Sequence, residues 1–99
     1  MHFANPDRRS DQRRPIGCAL RISWRAADGL TRSAHVRGIE LSQSGVAIRS
    51  NEPFPPGYTL FVELPKYNLV GSGCVRHCTP TGSTYLVGIK FRGNLTRPI

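Results

Sequence analysis

The sequence predicts an all-β domain, a six-stranded antiparallel β-barrel, on three observations. Apolar and polar residues alternate in six short runs at near-regular spacing, the pattern of strands with one buried face. No segment repeats its apolar residues at helical spacing. Ten Gly and eight Pro in 99 residues supply the turns that many short strands need. Closing the sheet on itself removes the edges that a small open sheet would expose.

Residues 1–16 are polar and basic, contain Pro6 and Pro15, and read as an extended, flexible N-terminal arm. The first strand follows, with Cys18, Leu20, Ile22 and Trp24 alternating with Ala19, Arg21 and Ser23. Asp28-Gly29 turns the chain, and residues 31–39 form a second strand with Ala34 and Val36 inward. Residues 40–45 are a short polar turn into a third strand, 45–50, with Val46 and Ile48 on one face. Residues 51–57 hold Pro53, Pro55, Pro56 and Gly57 and are predicted irregular. Tyr58, Leu60, Val62 and Leu64 mark the fourth strand, and residues 65–68 a turn. The fifth strand is 69–78, where Gly71 and Gly73 invite a bend or bulge. Residues 79–82 are a hairpin turn, and Tyr85, Val87, Ile89 and Phe91 mark the sixth strand. The chain thus divides into an arm (1–16), a barrel (17–93) and a C-terminal tail (94–99).

The 14 basic residues outnumber the 6 acidic ones, a formal charge of +8, which implies an anionic partner or a solubility role. Twelve of the 14 are Arg, and Arg8, Arg9, Arg13, Arg14, Arg21 and Arg25 crowd the first quarter. A guanidinium fork fits phosphate and the acceptor edge of guanine, and stacks on flat rings. Three Cys form no disulfide framework, which reads as a reducing, cytoplasmic setting. Residues 1–15 lack the apolar stretch of a signal peptide, and no run approaches the ~18 apolar residues that would insert into a membrane.

Other chemistries find little support. His2, His35 and His77 fall in no pattern with a nucleophile or carboxylate pair, so the chain reads as non-catalytic. Cys74 and Cys78 share a strand face by parity while His77 takes the other, so with Cys18 they make no converging zinc site. Neither a metal nor a cofactor is expected. Single-stranded nucleic acid needs several exposed aromatics; here most of the eight fall on inward positions, with Phe61 the main exception, which disfavours a nucleic-acid partner.

Two short motifs carry the positive signal. One is Arg9-Ser10-Asp11-Gln12-Arg13, with Arg8 before it and Arg14-Pro15 after it. Two arginines so spaced on an arm can close on a ligand, each gripping a phosphate or stacking on a base. The other is Glu40-Leu41-Ser42-Gln43-Ser44-Gly45, a carboxylate, two hydroxyls and a glycine that permits close backbone approach or a positive φ.

Arg-x-x-x-Arg followed by an acidic residue-x-Ser-x-x-Gly resembles the PilZ domain family over roughly residues 8–92. Gly73-Cys74-Val75-Arg76 is similar to the family's Gly-x-Val strand, and Tyr85-Leu86-Val87-Gly88-Ile89-Lys90-Phe91 to its closing strand. The resemblance implies a six-stranded barrel and a bacterial, non-catalytic receptor for the second messenger cyclic di-GMP. It implies that Arg9 and Arg13 grip the phosphates and guanines, with Ser42 and Gly45 as the matching Ser and Gly. Arg8 holds the position that bears on one ligand or a stacked pair. Glu40 stands where the family has Asp or Asn; it keeps the charge with one more methylene. The implied ligand set is Arg8, Arg9, Arg13, Glu40, Ser42 and Gly45, with the signal relayed to a downstream protein partner or neighbouring domain. The alternative, motivated by Glu40, is a PilZ-like protein-interaction adaptor with weak or no nucleotide binding.

Overall fold

The computed structural model describes residues 12–97. It is all-β apart from one 3₁₀ turn (Pro65–Tyr67). The strands are β1 (Arg14–Pro15), β2 (Ala19–Arg25), β3 (Thr31–Leu41), β4 (Gly45–Ser50), β5 (Thr59–Leu64), β6 (Leu69–Thr81) and β7 (Thr84–Phe91). Six of them close into the expected antiparallel barrel in the order β3-β2-β5-β6-β7-β4, with a β3–β4 pairing completing the ring. β1 lies outside that ring. Arg14 and Pro15 pair with Leu41 and Glu40, whose other edge is taken by Val46 and Ala47 of β4. β1 therefore prolongs the β2–β3 ladder, and backbone bonds from Ile16 N to Ile39 O (3.0 Å) and from Gly38 N to Cys18 O (2.7 Å) carry the pairing across the gap. The arm's residues 12–16 are described; residues 1–11 lie outside the described range.

The alternation read from the sequence fills the barrel. Leu20, Ile22 and Trp24 of β2, Val46 and Ile48 of β4, Leu60, Val62 and Leu64 of β5, and Val87, Ile89 and Phe91 of β7 are all buried. Each such aliphatic or aromatic side chain contributes roughly 1.5–3 kcal/mol by leaving water. The irregular 51–57 segment adds Phe54, whose ring meets Trp24 edge-on at 4.9 Å and 80°, a favoured arrangement of aromatic quadrupoles. A six-stranded barrel filled by its own side chains leaves a ligand only the outer wall.

Several strand ends differ from the expectation. β3 runs on through Glu40 and Leu41, which the sequence assigns to a turn; both are paired on both edges, and that ladder outweighs local turn preference. β6 runs to Thr81 and includes Pro80. The hairpin turn is Gly82-Ser83, closed by the Thr81–Thr84 pair, with Gly82 at φ +64° as a type II′ turn needs at its first position. Pro80 is tolerated because the β6–β7 hairpin extends past β5, so its missing N–H interrupts no central ladder.

Gly71 and Gly73 mark no bulge: the β5–β6 register runs unbroken through both. They are close-packing positions instead. A Cβ on Gly73 would lie 2.6 Å from Ile89 Cγ2 and 2.8 Å from the Lys90 carbonyl oxygen, and one on Gly71 would strike Leu95. Leu95 is held there by the tail, where Val70 and Thr96 exchange two backbone bonds of 2.7 and 2.8 Å. Among the described residues no helix is long and apolar enough to cross a membrane.

Candidate ligand-binding site

Two β-bulges decide which side chains reach the outside of the barrel. In β3 the register shifts between Gly38 and Glu40, making Ile39 the extra residue. Side chains alternate, and cross-strand partners share a face. Without the bulge, Glu40 would follow Val36 and Gly38 inward. With it, Leu41 packs against the core opposite Val46, and Glu40 turns outward opposite Ala47. In β6 the shift falls between Val75 and His77. Val75 points in and is 1% exposed, Cys78 packs against the core, and the consecutive Arg76 and His77 are both exposed, as an extra residue in a strand permits.

The bulge in β6 also overturns the parity assigned to its cysteines. Cys74 pairs with outward Lys90, whereas Cys78 pairs with buried Val87, so the two face opposite sides. No three His, Cys, Asp or Glu side chains converge among the described residues.

The result is a shelf on the outer wall of β6, β7, β4 and β3. His77, Gly88, Ala47 and Glu40 run across it as successive cross-strand partners. At the usual strand spacing they span roughly 14 Å. The two central residues carry a hydrogen or a methyl, so the floor is low, and larger side chains stand at its ends. One cavity of about 280 Å³ lies over this floor, with Arg13, Glu40, Ser42, Gly45, Arg76, His77 and Lys90 in its lining. Three cations against one carboxylate give the shelf a positive field suited to an anionic ligand.

The corner at Ser42–Gly45 is locked by its own bonds. Ser42 N donates to Gly45 O at 2.9 Å, and Gly45 N donates to Ser42 Oγ at 3.2 Å. Ser42 Oγ also lies 3.4 Å from Ser44 Oγ. Ser44 O accepts from Phe91 N at 2.7 Å, binding the corner to the end of β7. Gly45 sits hard against that strand, since a Cβ there would run into the Ile89 carbonyl. Glycine is thus required by close approach. Arg13 reaches over the corner, with Nη1 3.9 Å from Glu40 Oε1 and its side chain 71% exposed. That contact is loose and solvated, worth little by itself, and leaves the guanidinium available.

The structure brings Arg13, Glu40, Ser42 and Gly45 to one cavity; Arg8 and Arg9 lie outside the described residues. The motif is not confined to a turn: Glu40 and Leu41 end β3, Gly45 opens β4, and only Ser42, Gln43 and Ser44 lie between. Arg76, His77, Gly88 and Lys90 are also in the lining, and the sequence does not mark them as site residues. The joint exposure of Arg76 and His77 follows from the bulge in β6, which strict alternation cannot show.

Comparison with curated proteins returns no match. Comparison with protein families matches the PilZ domain over residues 7–98, nearly the whole chain and every strand described above. With that match and the closed six-stranded barrel, the chain belongs to the PilZ domain family.

Proposed function

We propose that this chain is a non-catalytic receptor that binds cyclic di-GMP on the outer shelf of its barrel and passes the signal to a protein partner. The family supports the ligand class. The observation that carries the reading is the meeting of Arg13, Glu40, Ser42 and Gly45 with Arg76 and Lys90 around one cavity. The ligand brings two phosphates for the cations and two guanines whose N–H edges a carboxylate accepts. A cavity of about 280 Å³ is at the small end for an organic ligand, so a dinucleotide stands proud of the shelf. Arg8 and Arg9, a few residues ahead of Arg13, are the groups to cover it. With ligand bound, those arginines and the shelf form the combined surface that a partner reads.

The test is calorimetric titration of the full chain with cyclic di-GMP at moderate salt. Saturable heat is expected; none at high micromolar ligand ends this reading. Glu40→Asp tests the departure from the family motif. Withdrawing the carboxylate by one methylene restores the motif's geometry, and the gain of a well-placed acceptor, about 1 kcal/mol, raises affinity several-fold. Equal or weaker binding by the Asp variant means the longer side chain fits its ligand.

Glu40 also favours the second reading, a protein-interaction adaptor with weak or no nucleotide binding. An Arg9→Ala, Arg13→Ala double variant that keeps its partner and its cellular function supports the adaptor against the receptor.

A further inference from the structure

Resting on the reading of the shelf as the cyclic di-GMP site, we propose that the His77 imidazole is the platform on which a guanine of the ligand stacks, and that Gly88 makes the platform possible. Among the described residues lining the cavity, His77 carries the only ring. The bulge in β6 sends it outward beside Arg76. Its ring lies over the backbone of its cross-strand partner Gly88. A Cβ on Gly88 would strike Nε2, with Cε1 at 2.5 Å and Cδ2 at 2.7 Å. The two carbons flank Nε2 on either side. An intruder along the ring edge would stay farther from both, so the contact is with the ring's face.

One face of the imidazole thus rests on the barrel wall while the residue remains exposed to the cavity. Any side chain at 88 would lift or tilt it. Ala47, next along the floor, leaves room beside it. Arg76 precedes His77 in β6, Lys90 lies two residues past Gly88 in β7, Glu40 ends the same cross-strand row, and all of these line the cavity with Arg13. A base laid on His77 therefore has its phosphates within a cationic border. Flat rings on nucleotide-binding surfaces serve as stacking supports because every base offers a π-face.

The experiment compares cyclic di-GMP affinity for the unaltered full chain and for His77→Ala, His77→Phe and His77→Gln. It also follows the His77 ring protons by NMR during titration of the unaltered chain. Ala weakens binding roughly 10- to 100-fold, the range of one lost base–aromatic stack. Phe restores most of the loss, and Gln, polar without a ring, remains as weak as Ala. The ring protons shift upfield under the stacked base. Binding by the Ala variant equal to the unaltered chain, or rescue by Gln but not Phe, overturns the platform while the receptor reading stands. No binding by the unaltered chain overturns both. If the Ala variant fails to fold, the ring protons decide: no upfield shift at saturation overturns the proposal.

Discussion

Replacing Arg9 and Arg13 together by Ala is expected to abolish cyclic di-GMP binding, lowering affinity by at least about 100-fold. Each guanidinium offers a bidentate, charge-assisted contact worth roughly 1.5–3 kcal/mol, and every 1.4 kcal/mol is about a factor of ten. Arg13 lines the cavity, and its only ion pair in the described structure is the loose 3.9 Å contact with Glu40. The double variant should therefore melt with the unaltered protein, since exposed pairs contribute about 0–1 kcal/mol. Arg25 is the control. It is an exposed arginine at the end of β2, outside the cavity lining, and Arg25→Ala should bind normally. Calorimetry at two salt concentrations checks the point, because equal losses from both changes would reveal attraction to net charge alone.

Gly45→Ala should damage both fold and site. The added methyl meets the Ile89 carbonyl, a backbone atom that cannot swing aside, where β4 pairs with β7. Overpacking of this kind costs typically 1–3 kcal/mol. In a domain of this size that lowers Tm by roughly 4–8 °C for each kcal/mol. The strain falls on the corner where Gly45 N bonds Ser42 Oγ, so Glu40 and Ser42 shift relative to Lys90 and affinity falls as well. Thermal unfolding followed by near-ultraviolet circular dichroism, with titration below the transition, reads both effects. Unchanged melting would mean that β4 yields without disturbing the ring.

Much of the barrel was legible because burial imposes a period of two. Ile22, Ile48, Leu60, Val62 and Val87 are fully buried where alternation put them. The misassigned faces have one source. Where the register shifts, at Ile39 and at Arg76, local alternation counts the wrong face, and the shift depends on neighbouring strands rather than on the segment itself. Glu40 and Ser42 were found by motif, without knowledge that a bulge turns Glu40 outward. Arg76 and Lys90 fall within the quoted strand motifs, and His77 in none, but nothing in those motifs marks a ligand contact; the three join the site only because β6 and β7 return beside β4. Strand ends failed similarly, since Leu41 and Pro80 are held by pairing that overrides their own preferences.

The stitching of Arg14 and Pro15 to β3 sets a limit on reach. Arg9 is four residues ahead of Arg13, so by any path its Cα stays within about 14 Å of that residue. If Arg9 binds the ligand as proposed, so short a connection gives it an effective concentration at the wall in the millimolar range, and its contact is intramolecular rather than a diffusive search. On that reading, unpicking Arg14 and Pro15 from β3 is expected to weaken the contacts of both arginines at once, with neither side chain altered.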